Sequence, residues 1–144
     1  MDHAEIILVE DNISDACLVM RALRKNNLVN HLLHLHDGKE ALDYFFGNEA
    51  NSMQKPPKLI LLDLKMPKVN GIEVLEKLKM NALTKTIPVV ILTSSQEDPD
   101  LVKCYKLGAN SYVVKPIVFT EFVNAIAQVG LYWLLINIPQ KNII

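Results

Sequence analysis

Several short apolar runs in this 144-residue chain end in a group that could handle a metal ion or a phosphoryl group. Glu10 and Asp11 follow Ile6-Ile7-Leu8-Val9, and Asp63 follows Leu59-Ile60-Leu61-Leu62. Thr93 and Ser94 follow residues 87–92, and Lys115 follows Tyr112-Val113-Val114. Three carboxylates gathered at one place would repel one another, and at least one of them would hold its proton above the usual range. A hard dication removes that conflict, and Mg²⁺, which keeps several waters, suits a site with only a few carboxylates. Thr93 would add a hydroxyl for a phosphoryl oxygen, and the small Ser94 leaves room for the incoming group. The ammonium of Lys115 could bridge a carboxylate and that oxygen. Pro116 follows it, and a cis Lys115–Pro116 bond would aim the amine inward. Together these groups suit phosphoryl transfer, with the Asp63 carboxylate attacking phosphorus and Mg²⁺ and Lys115 opposing the charge.

Such convergence needs a scaffold that brings strand ends together, and the pattern supplies one. Ile6 to Val9 predicts a first strand, followed by a helix over 13–25 with Cys17, Met20 and Leu23 inward. A second strand is expected over 31–36, a second helix over 38–46, and a polar loop over 47–57 containing Pro56-Pro57. The third strand runs from Leu59 to Asp63, and Asn70-Gly71 opens the next helix. A strand over 87–92, a helix over 97–107 stopped by Gly108, a strand over 111–114 and a final helix from Val118 or Phe119 complete the series. Strands one, three and four are apolar on both faces, as in a parallel sheet covered by helices on each side. Five strand-then-helix units with right-handed crossovers predict a doubly wound, flavodoxin-like α/β fold with five flanking helices. The order 2-1-3-4-5 is expected by analogy with known doubly wound sheets, not from the pattern itself. In such sheets the ligand crevice lies beyond the carboxyl ends of the strands, between the first and the third.

Composition excludes several classes. Half the residues are hydrophobic and the formal net charge is −1, so the chain can bury a core and has no overall charge suited to wrapping nucleic acid. No stretch approaches the ~20 apolar residues of a membrane span, and the acidic Asp2 and Glu5 are unlike a signal peptide. Cys17 and Cys104 form no CxxC pair and read as buried, reduced thiols, consistent with a cytoplasmic location.

The chain resembles the response-regulator receiver family along nearly its whole length. The motifs are Val9-Glu10-Asp11, Leu61-Leu62-Asp63-Leu64-Lys65-Met66-Pro67 with Gly71, Leu92-Thr93-Ser94, and Val114-Lys115-Pro116. The resemblance implies Asp63 as phosphoacceptor for a sensor histidine kinase, Asp11 as direct Mg²⁺ ligand, Glu10 as ligand through water, and the Lys65 backbone carbonyl as a further ligand. It implies Thr93 as switch hydroxyl and Lys115 as the site lysine. Tyr112 matches an aromatic whose rotamer reports phosphorylation on the face formed by the fourth helix, fifth strand and fifth helix. Within the family, the chain is most similar to stand-alone receivers serving bacterial phytochrome-type kinases. The 47–57 loop and Tyr132-Trp133 are the counterparts of their longer loop and aromatic-Trp pair. Lys65, beside the acceptor, is a departure that predicts slow loss of the phosphoryl group.

A receiver over 1–130 leaves 131–144 as an apolar extension of the last helix with a fraying tail, too short for a helix-turn-helix output domain. Output is then expected through a downstream protein or a phosphotransfer protein. Residues 131–138 either fold back as core or form a subunit interface, and a homodimer through the last helix is expected. His34 and His36 share a strand face, but no acid or thiol joins them at ligand spacing, so they are not expected to hold a metal. A phosphatase using an aspartyl phosphate would want an acid where Lys65 stands. A flavin or nucleotide carrier would need a phosphate cradle where Glu10-Asp11 stands. A receiver fold that serves only as an interaction module would not need the full set of acceptor groups.

Overall fold

Apolar strands without alternation need cover on both faces, and the strands here receive it. The computed structural model describes residues 4–28, 31–47, 56–66, 68–94, 99–128 and 130–136, apart from the side chains of Tyr132 and Trp133. Pro67, most of the 47–57 loop, that aromatic pair's side chains and the tail beyond 136 therefore lie outside the described residues. The chain runs β1 (Ile6–Val9), α1 (Ile13–Lys25), β2 (Leu32–Leu35), α2 (Gly38–Phe46), β3 (Leu59–Asp63) and α3 (Gly71–Met80). It continues with β4 (Val89–Thr93), α4 (Pro99–Leu107), β5 (Ser111–Val114), α5 (Phe119–Gln128) and the one-turn α6 (Tyr132–Leu135). All pairings are parallel and the order is β2-β1-β3-β4-β5, as expected for a doubly wound sheet.

Every residue of β1, β3 and β4 is buried. Ile6, Leu8, Leu59, Leu61, Val90, Leu92 and Val113 pack with Ala16, Val19 and Leu23 of α1 and Phe122 and Ile126 of α5. The alternate residues Ile7, Val9, Ile60, Leu62, Val89 and Ile91 pack with α2, α3 and α4 through Ala41, Phe45, Val74, Leu75, Leu78, Leu101 and Cys104. Burying an aliphatic side chain of this size contributes about 1.5–3 kcal/mol. The two-sided core therefore carries the fold, and the strand ends can be given to chemistry.

Two expectations need correction. Cys17 is exposed, because the inward stripe of α1 is Ala16, Val19 and Leu23 and Cys17 lies about 100° around the helix from Ala16. The start expected at 97 for the fourth helix lies outside the described residues, within which α4 spans Pro99–Leu107. The last helix does not run unbroken into the described residues 131–136: α5 spans Phe119–Gln128, Gly130 takes φ +74°, and α6 is a separate turn. That turn lets Leu135 reach the core, where only 2 % of it is exposed, while Leu134 remains 58 % exposed. No described helix is long and apolar enough to cross a membrane.

Candidate functional site

The register brings the chemistry-bearing residues to one level. Val9 lies opposite Leu62, so Glu10 and Asp63 are the next residues on adjacent strands, while Asp63 pairs with Leu92 and Thr93 with Val114. The carboxyl ends of four neighbouring strands open on a cavity of about 240 Å³, lined among others by Glu10, Asp11, Asp63, Thr93, Ser94 and Lys115.

Local capping fixes the acidic pair. Asn12 caps α1, its Oδ1 accepting from the Asp15 N–H at 2.9 Å, while its own N–H donates to Glu10 Oε2 at 3.1 Å. Both backbone groups of Glu10 are tied to β2. Its N–H donates to the Leu35 carbonyl at 3.0 Å, and its carbonyl accepts from His34 Nε2 at 2.7 Å. A carbonyl partner makes Nε2 the protonated nitrogen of His34. On the other side of the cleft, Gly71 lets α3 approach the acceptor loop. A Cβ there would sit 2.3 Å from the Asp63 carbonyl oxygen and 2.7 Å from Leu64 Cα, contacts that the backbone cannot relieve cheaply. The Gly71 N–H donates to the Leu64 carbonyl at 2.8 Å. The Lys115–Pro116 bond is cis, as the sequence suggests.

Oxygen atoms of Glu10, Asp11 and Asp63 all lie within 4.8 Å of one another. Glu10 is fully buried, Asp63 is 4 % exposed and Asp11 is exposed. Burial, followed by the charge of Glu10, pushes the Asp63 carboxyl up to about 7, against the pull of Lys115. The Lys115 ammonium reaches Glu10 Oε1 at 2.8 Å, Asp15 Oδ2 at 3.2 Å and Asp63 Oδ1 at 3.4 Å. Burial draws the Lys115 pKa down, but these carboxylates outweigh it, and the net direction is up. The buried Glu10 Oε1 has no hydrogen bond of good geometry and relies on that ion pair. One lysine thus faces a surplus of negative charge. An all-oxygen donor set in which burial opposes ionisation of one acid, and one ligand is open to water, fits a hard divalent cation.

Thr93 is buried, and Lys115 N–H donates to its carbonyl at 2.7 Å. Lys65 N–H approaches Asp63 Oδ1 at 3.4 Å, and Lys65 also lines the cavity. Tyr112 stands half-buried on β5, edge-on to Tyr105 of α4 with centroids 6.2 Å apart. Sequence reasoning missed Asp15 and His34. Asp15 is one polar residue of an amphipathic helix, legible only through its N-cap spacing from Asn12. His34 and His36 stack with centroids 4.2 Å apart, and among the described residues they belong to no candidate metal cluster.

The sequence matches the response regulator receiver domain family over residues 6–127. The chain belongs to that family. This receiver is 46 % identical to the bacteriophytochrome response regulator RtBRR, with a TM-score of 0.83 over 95 % of this chain and 84 % of that one. To the bacteriophytochrome response regulator AtBRR it is 45 % identical, with a TM-score of 0.82 over 96 % of this chain and all of that one. The response regulator Rcp1 of Synechocystis sp. is 35 % identical over 90 % of this chain and 88 % of its own length. Rcp1 has also been solved in a Mn²⁺-bound form. Receivers of this kind belong to two-component signalling, and the acidic cleft of this one is consistent with the divalent-cation site of the family.

Proposed function

We propose that this receiver accepts a phosphoryl group on Asp63 from the phosphohistidine of a sensor histidine kinase, of the phytochrome type, in a Mg²⁺-dependent transfer. The observation that carries the reading is the meeting of Glu10, Asp11 and Asp63 within 4.8 Å beside the Lys115 ammonium. Asp63 acts as nucleophile: an Oδ–P bond forms as the P–N bond to the donor imidazole breaks, and the electron pair leaves with that nitrogen. Asp11, Asp63, the Lys65 carbonyl and, through water, Glu10 would hold the cation, which supplies positive charge for the carboxylate and the transferring oxygens. Lys115 orients an equatorial oxygen, and the Thr93 hydroxyl donates to another once the group is in place.

The new dianion then biases the receiver between two states. Thr93 is drawn toward Asp63, and Tyr112 and the groove of about 490 Å³ beside β5 and α5 respond. A downstream protein or a phosphotransfer protein reads that surface, with no nucleic acid and no membrane involved. Likeness to RtBRR and AtBRR supports the phytochrome-type kinase. Lys65 beside the acceptor keeps loss of the group slow, so the protein is a switch rather than a turnover enzyme, working in the cytoplasm. The exposed Leu134 supports a homodimer through the C-terminal segment, which light scattering would test.

The decisive experiment is intact-mass measurement after acetyl phosphate and Mg²⁺. One added phosphoryl group is expected, absent with chelator and absent in Asp63→Asn. Addition at another residue, or without a divalent cation, would overturn the reading. For Lys65, an acyl phosphate whose half-life shortens little in Lys65→Asn would refute the slow-release role.

A further inference from the structure

We infer that Asp15 is a positioning residue that holds the Lys115 ammonium in the unphosphorylated protein and releases it when the phosphoryl group arrives. The inference rests on the acceptor role of Asp63 and deepens it. An ammonium has three N–H donors, and here three carboxylates surround it: Glu10 at 2.8 Å, Asp15 at 3.2 Å and Asp63 at 3.4 Å. To donate to a phosphoryl oxygen, Lys115 must give up one of them. Glu10 is fully buried and its Oε1 depends on Lys115, so releasing it would leave an uncompensated charge in the interior. Asp63 carries the incoming group and stays close. Asp15, with 29 % of its side chain exposed, can be hydrated on release. It is therefore the partner that exchanges at least cost.

Its placement is built rather than incidental. Glu10 Oε2 accepts from the Asn12 N–H, Asn12 Oδ1 accepts from the Asp15 N–H, and the carboxylates of Glu10 and Asp15 both grip Lys115. The N-cap of α1 thus closes a ring that fixes Asp15 over the lysine. The cap sets where Asp15 stands, and the exposure of Asp15 sets how readily it yields. During transfer from a small acyl phosphate, the Asp63 Oδ–P bond forms and the donor P–O bond breaks, the electron pair leaving on the carboxylate. One Lys115 N–H turns from Asp15 to a phosphoryl oxygen, and Asp15 takes no proton. In the resting state, Asp15 competes with the phosphoryl group for that N–H.

The test uses the full chain with Mg²⁺ and acetyl phosphate, following the phosphorylated fraction by intact mass, with Mg²⁺ affinity measured separately by calorimetry. Asp15→Asn should raise the phosphorylation rate per unit donor roughly two- to fivefold, the size of one partly exposed ion pair. Asp15→Glu should restore a rate near that of the unsubstituted protein. Mg²⁺ affinity should change less than about twofold, and in a Lys115→Gln background the gain from Asp15→Asn should vanish. A merely structural Asp15 would give a loss rather than a gain. An unchanged or slower rate in Asp15→Asn overturns the inference, as does a gain that survives Lys115→Gln or a matching fall in Mg²⁺ affinity. If the unsubstituted chain takes no phosphoryl group while still binding Mg²⁺, the acceptor reading fails and this inference falls with it. Normal acceptance with no Asp15 effect sinks the inference alone.

Discussion

The two ends of the sheet use lysine in opposite ways. At the amino end, Lys58 Nζ donates to Glu5 Oε2 at 3.1 Å and to the Leu134 carbonyl at 2.9 Å, while its backbone N–H donates to the Glu5 carbonyl at 2.8 Å. There Lys58 meets the single carboxylate of Glu5, and a last-turn carbonyl of α6 is satisfied as well. At the carboxyl end, one lysine serves three carboxylates, and Asp11 adds a fourth to the cluster. The balanced end is a clamp. The unbalanced end holds a deficit of positive charge that a cation or a transferred group can relieve, which is how a binding site differs electrostatically from a structural contact.

Removing the acceptor should have the largest effect. Asp63→Asn should abolish phosphorylation and, in metal-free buffer at pH 8, should also stabilise the protein by on the order of a few kcal/mol. The sign follows from the pKa. Asp63 is raised from an ordinary 3.8 to about 7, so the folded state binds the proton more tightly than the unfolded one. That contribution is fully present below about pH 4 and is lost as pH rises through 7. Denaturant titrations in chelator between pH 4 and 8 should show the decline, and Asp63→Asn should flatten it. Saturating Mg²⁺ should recover stability in the unsubstituted protein and much less in Asp63→Asn. A metal-free profile identical in the two proteins would mean that the carboxyl end is not electrostatically strained.

Lys115→Gln tests the same end from the other side. With the ammonium gone, Glu10 and Asp63 stay buried without their counter-charge, and a loss of about 2–4 kcal/mol is expected without metal. Added Mg²⁺ should return part of it. A cost below about 1 kcal/mol in chelator would show that water, rather than Lys115, neutralises the pair.

A smaller effect belongs to His34. Its side chain ties the Glu10 carbonyl to β2 at 2.7 Å, so His34→Leu should leave the loop carrying Glu10 and Asp11 less defined. A fall of roughly tenfold in Mg²⁺ affinity is expected by calorimetry, the lower end of the usual range for loss of a group supporting a metal ligand. Partial recovery is expected in His34→Gln, which keeps an N–H donor. Unchanged affinity in His34→Leu would make the bond ornamental.

Much of this was legible from the chain and some was not, for physical reasons. Glu10, Asp11, Asp63, Thr93 and Lys115 stood out because each ends an apolar run, and parallel register then places the ends of neighbouring strands at one level. The Asn70 cap was equally readable: its Oδ1 accepts from the Glu73 N–H while Glu73 reaches back to the Asn70 N–H. Asp15 and His34 were hidden because their partners, Lys115 and the Glu10 carbonyl, are distant in sequence and come near only through strand order. The break after α5 was missed because the apolar residues from Leu131 onward look like more helix, whereas Gly130 at φ +74° turns the chain back toward the core.

The smallest expected effect lies at the balanced end and sharpens the contrast. Lys58→Ala removes an ion pair whose lysine side chain is 39 % exposed, together with one donor to the Leu134 carbonyl. Solvent screening limits the ion pair and the released carbonyl can turn to water, so about 0.5–1.5 kcal/mol is expected, read from the denaturation midpoint. Mg²⁺ affinity and phosphorylation rate should be unchanged, because the whole length of the strands separates Lys58 from Asp63. A change in either would couple the C-terminal clamp to the acidic cleft, and the two ends could no longer be treated as separate devices.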